Sequence, residues 1–170
     1  MRKFLGGFGA GVLVVPALAL LLARLGFLPV AATSESPGWE GRVAGMAIGA
    51  TVARRAPKVP NPVAITEQGL MDGMRIFKED CAGCHGEPGR PSRWGTTSFY
   101  PRVPQFASDP PAKPDWQLFW IVKHGIRYSG MGAWDHLLPD DKIWQVVTFL
   151  SRVDSLPPSV AEQWRRKPPR

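Results

Sequence analysis

The sequence predicts an all-α fold: a small helical domain wrapped around one bound group, preceded by an N-terminal transmembrane helix. Three observations predict it. Apolar residues recur at helical intervals on both sides of a middle stretch rich in proline, glycine and serine. The chain carries 18 prolines and 7 tryptophans in 170 residues, which suits irregular chain packed around a bound group better than a sheet. After Met1-Arg2-Lys3 comes an uncharged run from Phe4 to Ala23; at about 20 residues it is roughly 30 Å long as a helix, the thickness of a bilayer's hydrocarbon core.

The bound group is named by Cys81-Ala82-Gly83-Cys84-His85, which holds the chain's two cysteines. C-x-x-C-H is the attachment signature of c-type haem: two thiols bond the porphyrin edge, and the adjacent histidine is placed to ligate iron. The same C-x-x-C spacing serves redox disulfides and half of a zinc site. Context separates these readings. No second C-x-x-C exists to complete a tetrahedral site, and a redox dithiol gains nothing from His85.

The N-terminal run is open to two readings, an uncleaved membrane anchor with Arg24 at the outer interface or a cleaved signal with Pro29-Val30-Ala31-Ala32 near its end. Its length favours the anchor, and Gly7-x-x-x-Gly11 suits a helix–helix contact. Arg2 and Lys3 hold the N-terminus inside, so either reading delivers the rest outside the cytoplasm, where covalent haem attachment takes place. The expected location is the inner (cytoplasmic) membrane, with the haem domain on the periplasmic side.

The net charge of +7 is uneven. Residues 1–60 hold 7 Lys/Arg against 2 Asp/Glu and the remainder 14 against 12, so without its basic end the haem domain is slightly acidic. No nucleic-acid partner is expected. The chain divides into an anchor or signal (1–32), a linker with a short amphipathic helix around Trp39–Arg55 (33–65), a haem domain (66–155) and a proline-rich basic tail, mobile or partner-bound (156–170).

Within the haem domain, Thr66 caps a helix running to Asp80, with Leu70, Met74 and Phe77 on one face. Met71 and Met74 are core or surface residues. Residues 86–114 read as a wrapping loop, and Asp115–His124 as a short helix with Trp116, Phe119, Trp120 and Val122. Asp140 and Asp141 open a last helix with Ile143, Val146, Val147 and Leu150 as its apolar stripe.

Gly73 through Gly86 resembles the first helix and attachment turn of class I c-type cytochromes, the monohaem proteins with His/Met ligation. Gly125-Ile126-Arg127-Tyr128-Ser129-Gly130-Met131-Gly132-Ala133-Trp134 resembles the loop that delivers their methionine ligand, G-[IL]-x-x-x-G-M-P-x-[FW], with Gly132 where proline is common. The resemblance spans roughly 66–153. It implies a small cytochrome c-like fold around one covalent haem c, with His85 proximal and Met131 distal. It also implies that Gly73 permits a close crossing with the last helix, where Trp144 or Phe149 meets it. A proline carbonyl, Pro101 or Pro104, accepts the His85 N–H. Arg127 and Trp134, with Trp94 or Arg93, are the expected propionate partners. His124 and His136 are the other histidines available to iron. The loss of proline at 132 is expected to loosen the methionine loop.

The implied activity is one-electron transfer between a redox donor and acceptor, by a tethered shuttle or a fixed subunit of a membrane complex. The alternative is a haem enzyme or gas-binding site whose methionine leaves.

Overall fold

The computed structural model describes residues 2–34 and 36–166, with side chains from residue 12 onward. It divides into two units, Met1–Ser34 and Glu35–Arg170.

The first unit is the helix α1, Arg2–Arg24, closed by Gly26 in the left-handed region at φ 78°. Its large apolar side chains from Val12 to Leu22 are exposed, as are Leu25, Phe27, Leu28 and Val30 beyond it. Gly7-x-x-x-Gly11 lies outside the residues with described side chains, as do residues 4–11 of the uncharged run. The expected transmembrane span is accordingly not shown: among the described residues, no helix is long and apolar enough to cross a membrane.

The second unit contains α2 (Gly38–Arg55), α3 (Glu67–Ile76), a π-helical turn (Phe77–Cys81), α4 (Ala82–His85), α5 (Arg93–Thr97), α6 (Asp115–His124), α7 (Asp140–Leu150) and α8 (Pro158–Arg165). No strand occurs among the described residues; Glu87 and Arg90 form an isolated bridge.

The α3–α7 crossing organises this unit. The Thr66 side chain accepts from the Gly69 N–H at 3.0 Å, starting α3 where the sequence placed its cap. Gly73 lies directly on α7: a Cβ there would overlap the Gln145 carbonyl and come within 2.9 Å of the Phe149 Cβ. Phe149 is thus the aromatic at the crossing. Trp144 instead turns toward α6 and stacks on Phe119 at 4.0 Å between ring centroids. Phe77, Val146, Phe149, Leu150 and Met74 form the buried centre beside the crossing.

Within the segment 33–65, the helix expected around Trp39–Arg55 is present as α2. Val52 and Ala56 at the end of α2 are buried. Beyond them, Asn61 Nδ2 donates to Asp115 at 2.8 Å and to the buried Thr148 hydroxyl at 2.9 Å, while its Oδ1 accepts from the Val63 N–H. A half-buried amide satisfied on both sides fixes the chain more firmly than proline stiffness alone.

The described part of the tail, expected as mobile or partner-bound chain, contains the helix α8. Pro158 opens α8 at a position where its missing N–H costs nothing. Val160 and Trp164, one turn apart, are buried. Trp164 packs edge-on against Phe77 (5.6 Å) and Phe149 (5.1 Å). Two apolar residues among prolines and arginines give too faint a period to read as a helix.

Gly73→Ala is expected to lower stability by about 1–3 kcal/mol or more, because the added methyl meets backbone that cannot rotate away; urea unfolding monitored by far-UV circular dichroism checks this. Trp164→Ala is expected to cost about 3–5 kcal/mol in the same measurement. A loss below ~0.5 kcal/mol would show that α8 is dispensable.

Candidate functional site

The helix expected through Asp80 changes character before the cysteines. At Phe77–Cys81 it widens into a π turn, with the Ala82 N–H bonded to the Phe77 carbonyl. One extra residue per turn rotates the cysteines and histidine beyond it by roughly 100° about the axis. Phe77 is fully buried, and Cys81 packs against the same cluster. Gly86, at φ 70°, then ends α4.

The carbonyls at the end of this short helix have no helical partners, so neighbouring loops supply them. Gln105 Nε2 donates to the Cys84 carbonyl at 3.0 Å and to Val103 at 3.0 Å, while its Oε1 accepts from the Ser92 N–H at 2.7 Å. The Ser92 hydroxyl donates to the Gly83 carbonyl at 2.5 Å. Gly95 lies against the Cys84 carbonyl so closely that a Cβ would overlap it. The motif is therefore held from outside by a glutamine, a serine and a glycine.

His85 is oriented on two sides. Its Nδ1 lies 2.9 Å from the Pro104 carbonyl, which can only accept, so the proton sits on Nδ1 and Nε2 keeps its lone pair. Its ring stacks on Phe106 at 4.3 Å and 8°. Burial lowers the His85 pKa, partly opposed by the Pro104 hydrogen bond. Burial thus favours the neutral imidazole that a metal requires, while the Pro104 bond leaves Nε2 as the nitrogen without a proton.

The histidine borders a cavity of about 530 Å³, lined also by both cysteines, Pro101, Pro104, Met131 and Trp134. That volume lies within the range of about 300–1,000 Å³ for cofactor sites. Met131 is brought there by a loop tied to itself. The Ile126 N–H donates to the Met131 carbonyl (2.9 Å), the Met131 N–H to the Ser129 hydroxyl (3.1 Å), and that hydroxyl to the Ile126 carbonyl (2.7 Å). Gly125, at φ 66°, sits where a Cβ would come within 2.7 Å of the Met131 carbonyl oxygen. Gly132 has open space around it and is not in the left-handed region. The loop is thus anchored by Ser129 and Gly125, without the missing proline.

Pro101 borders the cavity, but the histidine's bond goes to Pro104. Arg127 is exposed and outside the cavity lining, and so are Trp94 and Arg93. The cations that line it are Arg102 and Lys113. His124 pairs with Trp120, and His136 lies on the surface beside Asp135; neither borders the cavity. Gln105, Phe106, Arg102 and Lys113 were missed from sequence. Nothing in local pattern marks them, although Gln105 and Phe106 directly follow the proline that receives the histidine.

The two cysteines are free thiols. Burial, then the nearby Asp80 and Cys84, push the Cys81 pKa up to about 12. A redox dithiol depends on the opposite, a thiol pKa lowered by a positive environment. Among the described residues no group of three or more His, Cys, Asp and Glu side chains could hold a metal ion. What the cavity does gather is two thiols, a neutral imidazole with a free Nε2, a thioether sulfur and an apolar wall. That set fits a covalently attached haem: carbon–sulfur attachment, nitrogen and sulfur for iron, and two cations for carboxylates.

Comparison with known families agrees. The family model described as "Cytochrome C oxidase, cbb3-type, subunit III" matches residues 68–150, just under half of the chain. The match supports a c-type cytochrome, with haem c as the implied cofactor and electron transfer as the suggested role. No curated protein and no solved structure matches the chain.

With the thiols still free, Cys81 in a Cys84→Ser variant is expected to react with iodoacetamide at least about tenfold more slowly than in the urea-unfolded chain, because burial makes its thiolate scarcer. The same form should show a stability plateau. The Cys81 contribution is present below its ordinary value of 9.0 and is lost as pH rises toward about 12. The His85 contribution is present above 6.5 and is lost as pH falls below it. Denaturant midpoints measured across pH check both flanks.

Proposed function

We propose that the chain is a membrane-tethered, one-electron carrier with a single haem c, bonded through Cys81 and Cys84 and ligated by His85 and Met131. The observation that carries this reading is the His85 imidazole, fixed through Nδ1 by the Pro104 carbonyl beside a cavity that both thiols and Met131 also line. A haem bound there supplies a single electron gained or lost at iron. The protein's part is to hold, orient and exclude water. Phe106 and Pro104 set the plane of the imidazole. Ser129 and Gly125 set the position of the sulfur. With His85 and Met131 both given to iron, a bound haem would have no position left for a substrate, so the site would suit transfer rather than bond chemistry. A neutral thioether ligand favours the ferrous state, and the apolar wall adds to this by penalising the extra positive charge of the ferric state. Arg102 and Lys113 are the proposed partners of the propionates, in place of Arg127.

The tether is proposed on the uncharged run Phe4–Ala23 and on the exposed apolar side chains of α1. It places the haem domain on the periplasmic side of the cytoplasmic membrane. The matched family is described as an oxidase subunit, which favours a fixed place in a membrane oxidoreductase over a free shuttle.

Met131→Ala in the haem-loaded chain is expected to abolish the long-wavelength sulfur-to-iron band and to lower the reduction potential; absorption and redox titration measure both. An unchanged spectrum would remove Met131 as ligand, and a high-spin ferric spectrum in the parent would favour an open, ligand-binding site instead. Extraction of the chain from membranes by high salt, without detergent, would sink the tether.

A further inference from the structure

The helix α2 carries apolar residues on two opposite sides, and the fold covers one of them. At about 100° per residue, Gly41, Ile48 and Val52 share a side. Val52 is buried where α2 passes α6, Ile48 is half-buried, and a Cβ at Gly41 would lie 3.7 Å from the Tyr100 hydroxyl. Trp39, Val43, Met46 and Ala50 lie on the other side, roughly half a turn away. Trp39 is 61% exposed, Val43 50% and Met46 69%, and Ala50 is exposed with them. A helix whose outer side met only water would carry polar residues there.

Two further observations mark that outer side as a contact. Gly41, Gly45 and Gly49 each weaken a helix interior, and Val52 is the one buried residue that α2 contributes. A helix of 18 residues so composed holds poorly unless a second surface supports it. The cations at the edges of this side are also unpaired. Arg42 and Arg54 lie on its two flanks, and neither makes an ion pair among the described residues. Arg42 donates to the Gly38 carbonyl at 3.2 Å. Glu40, the helix's one carboxylate, accepts from the Ser36 hydroxyl at 2.7 Å. Residues 25–37, with Leu25, Phe27, Leu28 and Val30 exposed, are all the chain between α1 and α2.

We infer that the Trp39–Val43–Met46–Ala50 face of α2 lies along the headgroup region of an anionic bilayer, with Arg42 and Arg54 on lipid phosphates. Tryptophan, apolar side chains and flanking arginines are what an interfacial helix presents, and the arginines are complementary to anionic headgroups. A soluble protein is the poorer fit, because three large side chains fall well short of the roughly 800 Å² a side that stable protein interfaces bury. A chain already held by a tether needs no such area, since its high local concentration at the surface makes a weak contact sufficient. The inference rests on the membrane-tether reading and adds a second contact to it. Because α2 packs on α6, which borders the cavity through Leu118, Ile121 and Val122, that contact fixes how the haem domain faces the membrane.

The test uses the full haem-loaded chain in phosphatidylglycerol vesicles. The native thiols are then bonded to haem, so a nitroxide reagent reacts at one introduced thiol, from Met46→Cys or, as comparator on the helix flank, from Thr51→Cys. Both positions are exposed, so neither substitution disturbs the core. Relaxation of the label by oxygen, relative to that by a water-soluble nickel chelate, should be about fivefold higher at 46 than at 51, as an order-of-magnitude value for a side chain about 5–10 Å into the headgroup boundary. Adding Arg42→Glu and Arg54→Glu should cut the difference to about twofold or less, because the attraction to anionic lipid is lost. Equal ratios at 46 and 51, in a chain that stays with the vesicles through a high-salt wash, would overturn the inference and leave the tether standing. A label at 46 shielded from both oxygen and nickel would also overturn it, because a protein would then cover that face. Release of the chain by the wash would remove the tether reading itself.

Discussion

The backbone approach of α3 to α7 at Gly73 is the constraint on which the rest depends. With no side chain at that point, the helices cross close enough for Phe149 to lie against α3 and for Phe77, one turn on, to be sealed beneath it. The direction in which α3 leaves the crossing then decides where the cysteines arrive. The π turn corrects the phase, so that Cys81 reaches the core edge while Cys84 and His85 border the cavity. Trp164 closes the far side of the same aromatic cluster, so α8 belongs to the architecture that aims the motif.

The site is assembled from loops that bring little regular structure of their own. Their order comes from polar groups spent on backbone: Gln105 and Ser92 on the motif, Pro104 on the histidine, Ser129 on the methionine loop. Such bonds matter less for their net contribution, about 1 kcal/mol each, than for the cost of leaving buried carbonyls without partners. They fix the imidazole and the sulfur independently. Burial meanwhile lowers the His85 pKa and raises that of the Cys81 thiol.

Motif-level features were legible wherever one residue type at one spacing carries the chemistry. C-x-x-C-H, the apolar stripe of α7, the Thr66 cap and Gly73 could all be read locally. Features that depend on two distant segments could not. Pro101 and Pro104 are equivalent in sequence, and only the path of the loop gives His85 to Pro104. Arg127 lies within the methionine loop yet is exposed outside the cavity lining, while Arg102 and Lys113 arrive from elsewhere. The end of the chain looked polar and proline-broken, because the eye finds a helix through repeated apolar positions and α8 has just Val160 and Trp164 to offer.

Sequence by itself determined the kind of chemistry and the helical class, since thiol spacing and a 3.6-residue period are properties of neighbouring residues. It also determined the presence of an uncharged run long enough for a bilayer. Tertiary structure alone decided which carbonyl orients the imidazole, which cations border the cavity, how the methionine loop holds without proline, and that the last helix belongs to the core. Those outcomes turn on close approach between segments far apart in the chain, and no local pattern encodes the distance between them.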